Sequence, residues 1–229
     1  MGVAVPFLLW LVLVLGTVSL VPYLGRVFGR GYYMATYAGL TIVANIIAIK
    51  LIGLGRFIVP SAVIVYSATF LITDIADELY GRKFAHQVVM AGFVANVLAA
   101  ISIWIAVKMP GLPFQEDLDR MFSSVLGPAP RIFLASVVAY LISQNHDVWA
   151  FAFWKEKTGG KYLWLRNNLS TAVSQLIDTV IFITLAFGGV FPWSVIGSMI
   201  VSQYAVKVLI ALVDTPFCYL GVRFGSPAT

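Results

Sequence analysis

The chain has 229 residues, 60% of them hydrophobic and 11% charged, with a formal net charge of +5 and a mean hydropathy of +0.93. Charged residues usually make up about 25% of a soluble domain, and one soluble core of this length cannot hide so much apolar surface, so the chain needs the bilayer as a second apolar solvent. The lysines and arginines fall in short clusters between apolar runs, a pattern that sets membrane orientation and argues against nucleic-acid binding. Cys218 is the one cysteine, which excludes an intrachain disulfide and a cysteine-based metal cage, and no cofactor or metal is expected.

Seven apolar stretches approach the roughly 20 residues that a membrane-crossing helix needs: residues 3–23, 32–52, 57–79, 86–107, 131–154, 169–187 and 193–222. Backbone groups in lipid must be bonded internally, which leaves helices or a closed barrel, and these runs lack the strict alternation of barrel strands. The expected fold class is an all-α integral membrane protein, a bundle of seven transmembrane helices filling one domain over 1–229. The first stretch lacks a basic leader, is long for a signal peptide, and is followed by Arg26 and Arg30, so it is read as a helix.

Alternate sides of such a bundle carry unequal positive charge. One side collects Arg26, Arg30, Arg82, Lys83, Lys155, Lys157, Lys161, Arg166 and Arg223, and the other Lys50, Arg56, Lys108, Arg120 and Arg131. The richer side is cytoplasmic by the positive-inside rule, which predicts an outside N-terminus and a cytoplasmic C-terminus in the plasma membrane. The Gly81–Lys83 turn and the 155–166 loop then face the cytoplasm. The 110–130 connection, with Glu116, Asp117 and Asp119, faces outside.

Ionisable residues at membrane depth cost at least about 2.5–3.5 kcal/mol each, so they face a bundle interior or a cavity. The second stretch carries Thr41 and Asn45, the third Ser67, Thr73 and Asp74, and the fourth Asn96. The fifth carries Ser143-Gln144-Asn145-His146-Asp147, the sixth Thr171 and Ser174-Gln175-x-x-Asp178, and the seventh Ser202-Gln203, Lys207 and Asp214. Gln144 and Asp147 are three apart, as are Gln175 and Asp178, while Gln203 and Lys207 are four apart, so each pair shares one helix face. Three successive helices thus present an amide and a charge toward a common interior. Two readings stand beside each other: polar groups that fasten helices together, which suits Asn45, Asn96 and Ser67 as well as any other role, and a binding site, which suits Asp147, Asp178 and Lys207 better. A nucleobase-like ligand fits the second, because a carboxylate accepts two bonds from the adjacent N–H donors of a guanine-type edge and an amide completes the pattern.

The run from Phe70 through Thr73-Asp74-Ile75-Ala76-Asp77-Glu78-Leu79-Tyr80-Gly81-Arg82-Lys83, with Leu165-Arg166-Asn167-Asn168 and Ser174-Gln175-x-x-Asp178-Thr179 further on, resembles the vitamin-uptake family, also called queuosine precursor transporters. The likeness covers about residues 32–223, a six-helix core, and leaves 1–31 as an additional N-terminal helix. It implies import of a 7-deazaguanine-type base, such as 7-cyano-7-deazaguanine, a precursor of modified transfer-RNA nucleosides. It also implies a substrate site drawn from Asp74, Gln144, Asp147, Asn168, Ser174, Gln175, Asp178 and Lys207, to which the intramembrane Asn45 is added as a candidate, with Glu78, Tyr80, Gly81 and Arg82 as a cytoplasmic turn or gate. His146 departs from the apolar residue expected there and is either a proton-coupling group or a hydrogen-bonded packing residue.

Three rival readings are set against this one. A retinal photoreceptor would use Lys207 as its Schiff base, but Gln203 stands where that family carries an aspartate. An enzyme of the phospholipid-headgroup class would use Asp74, Asp77, Gly81 and Ala85, but its second aspartate pair is missing. A binding subunit of an energy-coupling-factor vitamin importer would dock its partner through small-residue stripes such as Ala35–Gly39 or Ala91–Ala95–Ala99, which suit a homodimer equally.

Overall fold

The computed structural model describes residues 4–55, 57–127 and 129–226, so Arg56 and the start of the first stretch at residue 3 lie outside the described residues. Eight α-helices follow one another: α1 (Ala4–Phe28), α2 (Gly31–Ile47), α3 (Val63–Tyr80), α4 (Arg82–Lys108), α5 (Glu116–Leu126), α6 (Ala129–Lys157), α7 (Leu163–Phe187) and α8 (Trp193–Gly225). An antiparallel hairpin, β1 (Leu51–Leu54) and β2 (Phe57–Pro60), separates α2 from α3.

Among the described residues, five helical stretches are long and apolar enough to cross a membrane, those holding α1, α4, α6, α7 and α8. The chain is a helical membrane protein. Helix α2 has 17 residues, and α3 carries Asp74, Asp77 and Glu78 along its 18. Those acids are tolerated because lipid does not surround α3. Every residue from 63 to 77 except Tyr66 is buried, and α1, α2, α4, α6, α7 and α8 all pack against this helix. A helix buried all round is a core helix, and here it is the axis of the bundle.

The hairpin corrects the expectation that helix runs through residue 52 and resumes at residue 57. Gly53, Gly55 and Pro60 fall within eight residues, and Pro60 has no N–H to give a helix. Pairing of Leu51 with Pro60 and Leu54 with Phe57 satisfies the backbone instead, and Gly55 takes the turn at φ 62°. Ser61 closes the hairpin: its N–H donates to Lys50 O at 2.7 Å and its Oγ to Ile47 O at 2.6 Å.

Helices also begin earlier than apolarity indicates. Helix α4 starts at Arg82 and α7 at Leu163, so the expected 155–166 loop shrinks to residues 158–162. Polar first turns are helical without being apolar. Gly81 alone separates α3 from α4, at φ 82° and ψ 167°, a conformation that L residues rarely adopt. The 110–130 connection contains α5, an exposed amphipathic helix with Leu118, Met121, Phe122 and Val125 on one face and three acids in its first turn. On the far side of the bundle, Gly221 and Gly225 let α8 approach α3 and α1 closely, since a Cβ on Gly221 would meet Ile75 Cδ1 at 2.5 Å.

Candidate functional site

Buried polar side chains from α3, α6, α7 and α8 form a column with four levels. Between Tyr66 and Glu78 it follows α3 for twelve residues, about 18 Å at the helical rise.

At the first level Asp178 of α7 is held from three other helices. Its Oδ2 lies 2.6 Å from Lys207 Nζ of α8, and its Oδ1 accepts from Tyr66 Oη of α3 at 2.7 Å and Ser143 Oγ of α6 at 3.2 Å. The Lys207 ammonium also sits 4.9 Å from the centre of the Tyr66 ring. Both members of the pair are almost fully buried, at 3% and 1% side-chain exposure. Charge neutrality and the extra hydrogen bonds are what make a buried pair tolerable. A cavity of about 30 Å³ opens beside it, lined by Asn45, Tyr66, Ser136, Asp178, Gln203 and Lys207 among others. That is room for a water or two. Gln203 Oε1 is buried there without a hydrogen-bond partner.

At the second level Gln144 Nε2 donates to Thr69 Oγ1 at 3.0 Å, and Thr73 Oγ1 donates to Gln144 Oε1 at 3.3 Å. At the third, Asp74 lies against Asp147. Asp74 Oδ2 accepts from Thr171 Oγ1 at 3.2 Å, while Asn167 Nδ2 donates to Asp214 Oδ1 at 3.0 Å. At the fourth, Glu78 closes the column. Its Oε2 is 2.6 Å from Arg166 Nη2 and 3.2 Å from Lys155 Nζ. Arg166 is 1% exposed, and its Nη1 also donates to Lys161 O at 2.8 Å and Gly160 O at 3.1 Å, so the loop between α6 and α7 is tied to the end of α3.

The residues singled out from the sequence separate on this column. Asp178, Lys207 and Asn45 border the cavity, together with Gln203. Asn45 is committed to packing: its Nδ2 donates to Asn96 Oδ1 at 2.5 Å and its Oδ1 accepts from Ser136 Oγ at 2.6 Å, joining α2, α4 and α6. Gln144 serves the second level, and Asp74 and Asp147 the third. Ser174 Oγ contacts His146 Nδ1 at 2.9 Å, which fastens His146 to α7. Gln175 is fully buried and makes no side-chain hydrogen bond. Asn168 points to α8 instead, donating to Thr215 Oγ1 at 2.8 Å. Of the turn residues, Glu78 forms the ion pairs, Tyr80 packs against Tyr33 and Phe84 beneath Arg30, and Arg82 is exposed beside His86.

Tyr66, Ser143, Asn167 and Arg166 take part without having been singled out for the site. Asn167, Ser170, Thr171, Ser174 and Asp178 recur at the three- and four-residue spacings of one helix face, a stripe that identifies Asn167 over Asn168. Tyr66 has no such signal among so many aromatics.

A helical membrane bundle with a buried column of ionisable side chains, running from a small cavity to a cluster of ion pairs, has the marks of a functional site inside the membrane. A family model described as "Putative vitamin uptake transporter" matches residues 60–221. A "Probable queuosine precursor transporter" of Bacillus subtilis (strain 168) is 32% identical over 181 residues, 78% of either chain. No solved structure matches the chain. The chain belongs to the vitamin-uptake transporter family, whose members are transporters and not enzymes.

Proposed function

We propose that this chain imports a queuosine-precursor base of the 7-deazaguanine type, such as 7-cyano-7-deazaguanine, across the cell membrane. The observation that carries the reading is the Asp178–Lys207 pair beside the unpartnered Gln203 Oε1 at a small cavity. A guanine-type edge offers two adjacent N–H donors and a carbonyl acceptor. Asp178 accepts the donors, Lys207 donates to the carbonyl, Gln203 accepts from the exocyclic amine, and Tyr66 flanks the ring. The relative's printed name points to the same substrate class.

The cavity has room for water and not for a bicyclic base, so loading needs α7 and α8 to part from α3. The Glu78–Arg166–Lys155 ion pairs are the gate on the opposite side, and opening requires Arg166 to let go of Glu78. With α2 and α3 counted as spans there are seven crossings. By the positive-inside rule, the proposed orientation has the gate on the cytoplasmic side and the N-terminus outside.

Thermal stabilisation of the purified chain tests the assignment. A ligand at a hundred times its dissociation constant adds about 2.7 kcal/mol of stability. A panel of 7-cyano-7-deazaguanine, guanine, biotin, riboflavin and retinal should give a shift with the deazaguanine, and Gln203→Ala should cut it to about half at the same ligand concentration while the unliganded melting temperature stays put. A shift with biotin or riboflavin and none with either base would overturn the substrate reading.

A further inference from the structure

The third level of the column lies apart from the residues lining the cavity proposed for the base. Asp74 from α3, Asp147 from α6 and Asp214 from α8 are each at most 2% exposed, Asp74 lies against Asp147, and Asp214 is close to both. No cation answers them among the described residues. Lys207 is engaged by Asp178, and Lys155 and Arg166 by Glu78. His146 on α6 is turned to Ser174, while Asp77 on α3, Cys218 on α8 and Tyr37 on α2, the other titratable neighbours, bring no positive charge.

Uncharged groups aimed into the cluster are also left open. Ser170 Oγ of α7 is fully buried, faces Asp147 and has no well-formed hydrogen bond. Asn167 is held by Asp214 through its Nδ2 while its Oδ1 lacks a donor. Neither carboxylate oxygen of Asp147 makes a well-formed hydrogen bond, although Ser170 and Ser174 face it. Bare carboxylates cannot stand side by side away from water, so something positive must occupy the cluster. No three His, Cys, Asp or Glu side chains among the described residues converge closely enough to hold a metal ion. A proton needs no such convergence, and it turns an acceptor-only carboxylate into a donor for the open Asn167 and Asp147 oxygens.

We propose that Asp74, Asp147 and Asp214, with Ser170 and Asn167, form a proton-binding site separate from the base cavity, and that one proton crosses with each base. The coupling half rests on the transport reading above, and the proton-site half does not. The Thr69–Gln144–Thr73 level joins the two sites, so a movement of α3 that opens one disturbs the other. The proton enters from one face, resides on a carboxylate oxygen of the cluster, and leaves to the other face. A neutral base then carries one positive charge inward per cycle.

Two readouts test it on the full-length chain. Infrared difference spectra of wild type against Asp74→Asn and Asp147→Asn should show loss of a protonated-carboxyl carbonyl band that Gln203→Ala retains. If Asp74→Asn does not fold, Asp147→Asn and Ser170→Ala supply the comparison, the latter by shifting the band. In proteoliposomes holding a trapped pH dye, added 7-cyano-7-deazaguanine should acidify the lumen of wild-type vesicles. Asp214→Asn should cut that acidification at least tenfold while the base still stabilises the protein. A protonated band with no base-induced stabilisation would support the proton site and sink the substrate assignment. Absence of the band, or full-rate base uptake that ignores pH and follows sodium, would overturn the proposal.

Discussion

Asp178 receives Lys207, Tyr66 and Ser143 from three different helices, so its removal disturbs the bundle as well as any ligand. Asp178→Asn leaves a buried ammonium without its counter-charge and should cost about 3–5 kcal/mol. Replacing both partners, Asp178→Leu with Lys207→Met, removes the uncompensated charge, and thermal unfolding in detergent should show most of that stability regained. Gln203→Ala deletes an acceptor that serves no protein donor. Its melting temperature should be unchanged while base affinity falls about tenfold, the value of one hydrogen bond. The charges at this scale were legible because lipid makes a buried Asp or Lys conspicuous, but which acid meets which cation was not. Lys207 chose Asp178 and left Asp147 beside Asp74, a matter of helix rotation and depth that no single-helix spacing contains. Asn168 against Asn167 is the same difficulty in miniature, since adjacent positions differ by about 100° around a helix.

Helix α3 and its turns show what patterning conveys about elements and where it stops. Apolar run length located the long helices, whereas the hairpin at 51–60 hid inside apolar sequence that β-strands and helices share. The signal was Gly53, Gly55 and Pro60 together. At the other end of α3, Gly81→Ala forces a side chain onto φ 82° and should lower stability by about 1–3 kcal/mol, measurable as a lower melting temperature. Arg166→Gln should free the loop at 158–162 from the end of α3, because Arg166 holds both Glu78 and the Gly160 and Lys161 carbonyls. Hydrogen exchange in that loop is expected to speed up at least tenfold. Unchanged protection would mean the ion pairs do not act as a closure.

For the whole molecule, the proposed orientation puts the loops richer in Lys and Arg on the cytoplasmic side, and labelling tests it. In a Cys218→Ala background, Asp117→Cys should react with an impermeant maleimide on intact cells and Lys161→Cys only after lysis; both positions are exposed. The reverse labelling would invert the topology and put the Glu78 gate outside. The central claim is that this chain, by itself, carries a 7-deazaguanine base, and initial-rate uptake of labelled 7-cyano-7-deazaguanine into proteoliposomes containing only this protein tests it most directly. Saturable uptake, competed by the unlabelled base and needing about tenfold more base to saturate in Gln203→Ala, is the result expected. Uptake that appears only when ATPase partner subunits are added, or none at all for the base in vesicles of folded protein, would contradict it.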